Sequence, residues 1–431
     1  MKQPPDKTNT PFTAKEKAVI LILALTQFTV ILDFMVMSPL GDMLMKSMSL
    51  QPKQFGIAVS AYAFSAGISG LLTAGFADRF DRKKLLLFFY TGFILGTVLC
   101  GLAHTYPLLV AARVITGLFG GVIGSIGMAI ITDLFTLQQR GRVMSFVQMG
   151  LGASQVLGIP ISLYIANIWG WQAPFLMVAG LAVVVACFSM LRLPAVNEHL
   201  ALQKTHSAVR HLINTVEKKN YRIAFMATAI LSIGGFMMMP FGSAYAINNL
   251  HVSAHQLPLL FMISGVSTFI IMPLTGKLAD RMDKYKLFVM ATIWMAGIIV
   301  IYTHLPIVPF PFVVAMNILM TMGIMSRMIP SMTLLSGVPE AADRGAFMSV
   351  NSSLQQIAGG IAAAFAGMVV VQKTKTSPLE HYDTLGFIIV GICAVSILLM
   401  YRVDRMVKRK AAAQQVAMPT KEEEPLIIPE V

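Results

Sequence analysis

Two charged side chains stand where charge is expensive. Asp33 lies in an apolar run from Ala18 to Leu40, and Arg113 lies in another from Pro107 to Ile131. An ionisable group inside such a run is costly unless paired, and by default it marks function. Asp33 stands seven residues before Leu40, and Arg113 stands six after Pro107. If the two runs are helices of opposite direction, both residues lie about 10 Å from the same end. A carboxyl group in an apolar cavity holds its proton, and one beside a guanidinium releases it. A protein that alternates between those conditions carries protons. Two other roles stay open: a permanent ion pair that joins two helices, and an aspartate that binds a cationic substrate directly.

A second charged feature occurs twice. "ADRFDRKKL" (Ala77–Leu85) and "ADRMDKYKL" (Ala279–Leu287) align at an offset of 202, and "RGRVMS" (Arg140–Ser145) and "RGAFMS" (Arg344–Ser349) at 204. Two independent matches at nearly one spacing indicate an internal duplication. A further cation, Arg327, sits near the end of an apolar run, where its long side chain is expected to snorkel to the membrane surface as an anchor.

These residues need helices in lipid to position them. The chain has 431 residues, is 56% hydrophobic and 12% charged, and has a mean hydropathy of +0.72. An apolar run of about 20 residues spans a bilayer as a helix, because each backbone polar group must find its partner within the segment. Twelve such runs are legible. Six lie in the first half, at 18–40, 55–77, 85–103, 107–131, 143–168 and 171–191. Six lie in the second, at 223–247, 256–278, 287–302, 307–329, 346–371 and 384–401. With both termini inside, 27 of the 33 Lys and Arg fall in inside loops and tails, and four in outside loops. That asymmetry is the positive-inside rule, and it accounts for the net charge of +13 without nucleic acid. The reading is an all-α membrane protein. An N-terminal six-helix bundle (1–191) and a cytoplasmic linker (192–222) precede a C-terminal six-helix bundle (223–407) and a disordered cytoplasmic tail (408–431). In the linker, Val209, Leu212, Ile213 and Val216 fall at helical spacing and predict a short amphipathic helix on the membrane surface.

On these features the chain resembles the major facilitator superfamily. Gly276, Leu278, Asp280 and Arg281 match its G-x-L-x-D-R-x-G-R-K/R loop, and Asp78, Arg79, Arg82 and Lys83 match it in the first copy. Both copies carry an aspartate, Asp81 or Asp283, at the second glycine. Arg113, Gly117 and Gly121 fit the R-x-x-x-G-x-x-x-G pattern of proton-coupled members, and Gly170, Trp171 and Phe175 fit the G-W-x-x-x-F turn of drug:proton antiporters. The upstream "GIPIS" (Gly158–Ser162) is closer to the sugar- and nucleoside-efflux branch. The resemblance implies twelve transmembrane helices in two six-helix bundles, the major facilitator fold, with a central cavity between halves.

It implies roles as well. Asp78 and Asp280, with Arg79, Arg82, Lys83 and Arg281, form a conformational latch across the seam between halves. Thr26, Thr29, Asp33 and Met37 share one helical face, assigned to the cavity, and Asp33 with Arg113 couples protons to transport. Methionines number 31, and their flexible side chains suit a pocket for varied apolar shapes. The candidate substrate-binding residues are Phe34, Met37, Gln148, Gln155, Met238, Phe241, Tyr245, Asn317, Asn351 and Gln355, and Pro240 bends its helix among them.

The expected protein is a proton-coupled antiporter for efflux of small organic compounds, drug-like or sugar- and nucleoside-like. It is monomeric, in a bacterial inner membrane, with its termini in the cytoplasm and no cofactor. His251 and His255 have no carboxylate near in sequence, so no metal is expected, and no phosphate loop or hydrolase motif occurs. The alternatives are a carrier for sugars, nucleosides or amino acids without drug specificity, and a membrane sensor that transports nothing.

Overall fold

The computed structural model describes residues 12–73, 79–197, 200, 208–340 and 343–417. Many of its helices begin where the sequence supplies a cap or a proline. A reciprocal capping box of Thr13 and Glu16 starts α1 (Ala14–Val36), and short α2 (Gly41–Met48) leads to α3 (Pro52–Thr73). Asp81 accepts from the amides of Lys83 and Lys84 to cap α4 (Arg82–Gly101), and Pro107 sits in the first turn of α5 (Tyr106–Leu134). A second capping box, Thr136 and Gln139, starts α6 (Leu137–Ala153), which passes through a π turn at Ser154–Gly158 into α7 (Ile159–Trp169). Gly170, at φ +87°, turns the chain into α8 (Ala173–Arg192), a conformation that costs any residue with a Cβ. Trp171 and Phe175 of that turn are buried edge to face.

The second half repeats the plan. The linker helix α9 (Ala208–Glu217) leads to α10 (Lys219–Phe236), and a 3₁₀ turn at Met239–Phe241 around Pro240 separates it from α11 (Gly242–Asn248). Then follow α12 (Leu257–Arg281), α13 (Lys284–Thr303), α14 (Phe310–Gly337), α15 (Arg344–Val369) and α16 (Tyr382–Ala417). Asp283 caps α13 through the amide of Lys286, as Asp81 caps α4. The two aspartates that depart from the loop pattern therefore do the same work in both copies. Lys408 and that amide hold the Asp283 carboxyl below the usual range.

Eleven helices among the described residues are long and apolar enough to cross a membrane. The twelfth span, α15, has 26 residues but carries the polar run Asn351–Gln356. Large apolar side chains such as Leu72, Val184, Leu191, Ile293 and Leu398 are mostly exposed, as a lipid-facing belt requires. Among the described residues the β contact is one isolated bridge, Val371 with Glu380.

The spans have two ends. The proximal end carries the start of α1 and the finish of α16, and the distal end is opposite. At the distal end one continuous core joins both halves, from Leu40, Leu44 and Phe55 to Phe241, Tyr245 and Leu250. At the proximal end the buried cores are two clusters, with Leu71 of α3 packed against the second. One holds Leu86, Phe93 and Ile130 of the first half, and the other Phe225, Phe288 and Phe347 of the second. The protein is closed distally and parted proximally.

In this arrangement the described latch residues bond within their own half or are exposed. Arg82 bonds Asp133 of its own half at 3.3 Å, and Lys83 donates to the Met190 carbonyl at 2.9 Å. Arg79, Asp280 and Arg281 are exposed. Asp78 lies outside the described residues. Two expectations change. The tail is helical to Ala417, tied by Lys408 to Asp283 and Asp404 and by Lys410 to the Pro339 carbonyl. Residues 418–431 lie outside the described ones. Helix α9 forms at the expected place, but it packs on α10 and α15, with Leu212 against the second half's proximal core.

One contact sets up the site. A Cβ on Gly117 of α5 would come 2.1 Å from Ser65 Oγ and 2.4 Å from the Tyr62 carbonyl of α3, and one on Gly121 would come 2.5 Å from Ala66 Cα. Small residues that let helix backbones touch are a common membrane interface. Gly117→Val is expected to destabilise the protein by about 1–3 kcal/mol through overpacking, read as a lowered melting temperature in lipid nanodiscs.

Candidate functional site

With α5 pressed against α3, Arg113 lies under the Tyr62 ring, its guanidinium carbon 4.6 Å from the centroid. Its Nη1 donates to Asp33 Oδ2 of α1 at 2.9 Å. Thr97 of α4 donates to the other carboxylate oxygen at 3.2 Å. Both charged side chains have no exposed surface. Arg113 Nε and Nη2 have no hydrogen-bond partner. The sequence thus located a real ion pair at a common depth, and the structure shows it incompletely satisfied.

Its surroundings differ from expectation. Thr29 meets the Tyr90 hydroxyl at 2.8 Å and Asp33 meets Thr97, both on α4. Thr26 and Met37 are likewise buried. Thr29 and Asp33 of the face assigned to the cavity instead pack into their own bundle, because an Asp that reaches Arg113 of α5 must point inward, and Met37 joins the distal core. The cavity takes the next face, through Met35, Ser38 and Pro39.

That cavity has a volume of about 490 Å³, within the usual range for small-molecule sites. It runs between the halves from Tyr302 and Tyr382 distally to Leu335, Ser336 and Met348 near the proximal end. Nine methionines line it: Met35, Met238, Met239, Met295, Met320, Met325, Met328, Met332 and Met348. A chain of rings separates it from the ion pair. Phe34 packs on Tyr62 at 5.2 Å, and Phe236 of the second half packs on Phe34 at 6.2 Å. Phe236 also lines the cavity.

Of the ten candidate binding residues, Gln155, Met238, Asn317, Asn351 and Gln355 line the cavity. Phe34 lines a smaller neighbouring pocket instead. Met37 and Phe241 are core residues of the distal closure, and Tyr245 is stacked on Tyr382 at 4.1 Å. Gln148 is exposed on α6, outside the cavity wall. These five miss the cavity because helical spacing does not say which face meets it. Arg327 also departs from expectation. It is buried in the second half and lines the cavity rather than reaching the surface. Sequence reasoning missed Tyr302, Tyr382, Thr228 and Ser232, whose residue types carry no distinguishing signal.

The distal closure has a polar lock. Asn248 of α11 donates to Asp42 of α2 at 2.6 Å and accepts from Lys46 at 3.0 Å, while Lys46 pairs with Asp42 at 2.9 Å. Ser243 donates to the Ser38 carbonyl at 2.8 Å, again across the halves.

Comparison with known proteins agrees with this fold. The sequence model of the Major Facilitator Superfamily matches residues 23–363 and 224–427. The uncharacterised MFS-type transporter YceJ of Bacillus subtilis is 21% identical over 90% of this chain and 96% of its own. Multidrug resistance protein 2 of the same organism is 22% identical over 63% of this chain and 70% of its own. A crystal structure of a bacterial homologue of the human lysosomal transporter Spinster, inward-facing and unoccupied, superposes with a TM-score of 0.74 at 15% identity. It covers 93% of this chain and 99% of that one.

Asp42→Ala removes the acceptor shared by Lys46 and Asn248. The expected result is about tenfold faster labelling of a cysteine placed at Ser243 by a maleimide added from the distal side, the effect of losing a buried charge-assisted hydrogen bond.

Proposed function

The chain belongs to the Major Facilitator Superfamily of membrane transporters, and on that premise we propose that it exports small organic compounds in exchange for protons. The observation that carries this reading is the enclosed Asp33–Arg113 pair with two guanidinium nitrogens unpartnered. A pair that serves only as glue gains by satisfying every donor, since a partly satisfied buried network is worse than apolar packing.

The site lies in a bacterial-type inner membrane with its proximal end in the cytoplasm, as the distribution of Lys and Arg supports. Asp33 gives up its proton toward the cytoplasm as the halves part proximally, and in the cytoplasm-open state it is held, enclosed, against Arg113 while substrate enters the cavity. In the outward-open state the halves part distally. Phe236 belongs to the second half, so this movement pulls it off Phe34 and opens a water path to the pair. Separated from Arg113, Asp33 takes a proton from outside while substrate departs. A membrane potential of 100 mV adds about 2.3 kcal/mol for each charge carried inward. The latch residues Asp78 and Asp280, with their basic neighbours, act in that second state, when the proximal end closes.

The cavity's methionines suit substrates of varied apolar shape. The amides of Gln155, Asn317, Asn351 and Gln355 on the same wall favour a second reading, a carrier for hydroxyl-bearing compounds such as sugars or nucleosides. Proteoliposomes loaded with drug-like, sugar and nucleoside candidates, with and without a pH gradient, decide between the two.

Asp33→Asn is expected to abolish export driven by a pH gradient while leaving exchange without a gradient near the wild-type rate. Undiminished pH-driven export by that variant would refute the proton-carrier role. Phe34→Ala shortens the barrier between cavity and ion pair, and it is expected to produce proton leak without substrate, measured with a pH dye trapped in the vesicles.

A further inference from the structure

Arg327 is the one charged side chain lining the cavity among the described residues. It projects from α14 with 5% of its surface exposed. Unlike Arg113, it has no carboxylate: Nη1 donates to two sulfur atoms, Met295 Sδ at 3.3 Å and Cys393 Sγ at 3.7 Å. Sulfur is a weak acceptor. Phe288 lies beside it, with the guanidinium carbon 5.8 Å from the ring centroid. Nη2 is buried without any hydrogen-bond partner. A guanidinium stays charged in proteins, and an uncompensated buried charge is costly. The fold keeps such a charge at the cavity wall, with Nη1 on weak sulfur acceptors and Nη2 without a partner.

We propose that Arg327 anchors an anion subsite in this cavity, and that the preferred substrate is an amphiphilic organic anion. A carboxylate, sulfonate or phosphate monoester binds the guanidinium fork through paired N–H donors, while the rest of the molecule lies along the methionine wall. Met295 and Met328 line the cavity beside the guanidinium, and their flexible thioethers move aside for a ligand. A cationic compound meets an unscreened positive charge and no carboxylate in the same wall. The inference rests on reading this cavity as the transport site.

The test compares three compounds of one shape: 1-naphthaleneacetate, its neutral amide, and 1-naphthylethylammonium. Their binding to the full chain in zwitterionic lipid nanodiscs is measured by equilibrium dialysis, without a pH gradient. The acetate is expected to bind about tenfold or more tightly than either of the others, the worth of a charge-assisted hydrogen bond. Arg327→Gln is expected to remove that preference and leave amide affinity unchanged. Arg327→Lys keeps the charge but not the fork, and it is expected to lose part of the preference. If Arg327→Gln does not fold, the lysine variant carries the test: weaker acetate binding with unchanged amide binding supports the subsite. Equal affinity for the three compounds, no binding of acetate, or variants that bind acetate like the wild type overturn it. Selective acetate binding with no proton-driven export counts against coupling alone, so the two failures are distinguishable.

Discussion

The structure depends on how one ion pair is enclosed. Asp33 and Arg113 meet at 2.9 Å with no exposed surface, on two helices of the same bundle. Burying two charges costs several kcal/mol each after relaxation. Thr97 and the Tyr62 ring offset part of that cost, and the glycine contact of α5 with α3 puts Tyr62 in position. The rest of the first bundle packs to keep this pair dry.

Dryness depends on the second half as well. The ring chain from Tyr62 through Phe34 ends on Phe236 of α10, so the barrier between ion pair and cavity is shared between the bundles. Any movement of one bundle against the other acts on that barrier. The distal end shows what holds the present arrangement: a common apolar core together with the Asp42–Lys46–Asn248 lock. The proximal end has charged groups bonded within their own halves, as with Arg82 to Asp133 and Lys408 to Asp283. The half-exposed Lys408–Asp283 pair can exchange partners at low cost when that end closes.

The two arginines of the spans show the difference between a matched and an unmatched buried charge. Arg113 has a carboxylate and a ring; Arg327 has two sulfur atoms and lies on the cavity wall. The first guanidinium is bound by the protein itself. The second is left for something that enters. In sequence they are alike, each a lone cation in an apolar run, and Arg327 reads as an anchor only because it lies near the end of its run.

The sequence by itself determined the all-helical membrane fold, its duplication and the depth of the Asp33–Arg113 pair. Hydropathy, repeat spacing and rise per residue are local or one-dimensional quantities, and lipid leaves the backbone few alternatives. The glycines of α5 and the Gly170 turn were legible for the same reason. Which face of α1 meets the cavity, which end is open, and where Arg327 points were decided only by tertiary structure. They depend on how helices rotate about their axes and how two bundles lean on each other. In a membrane protein those rotations are set by packing and polar contacts between distant segments, and no periodicity along a single helix records them.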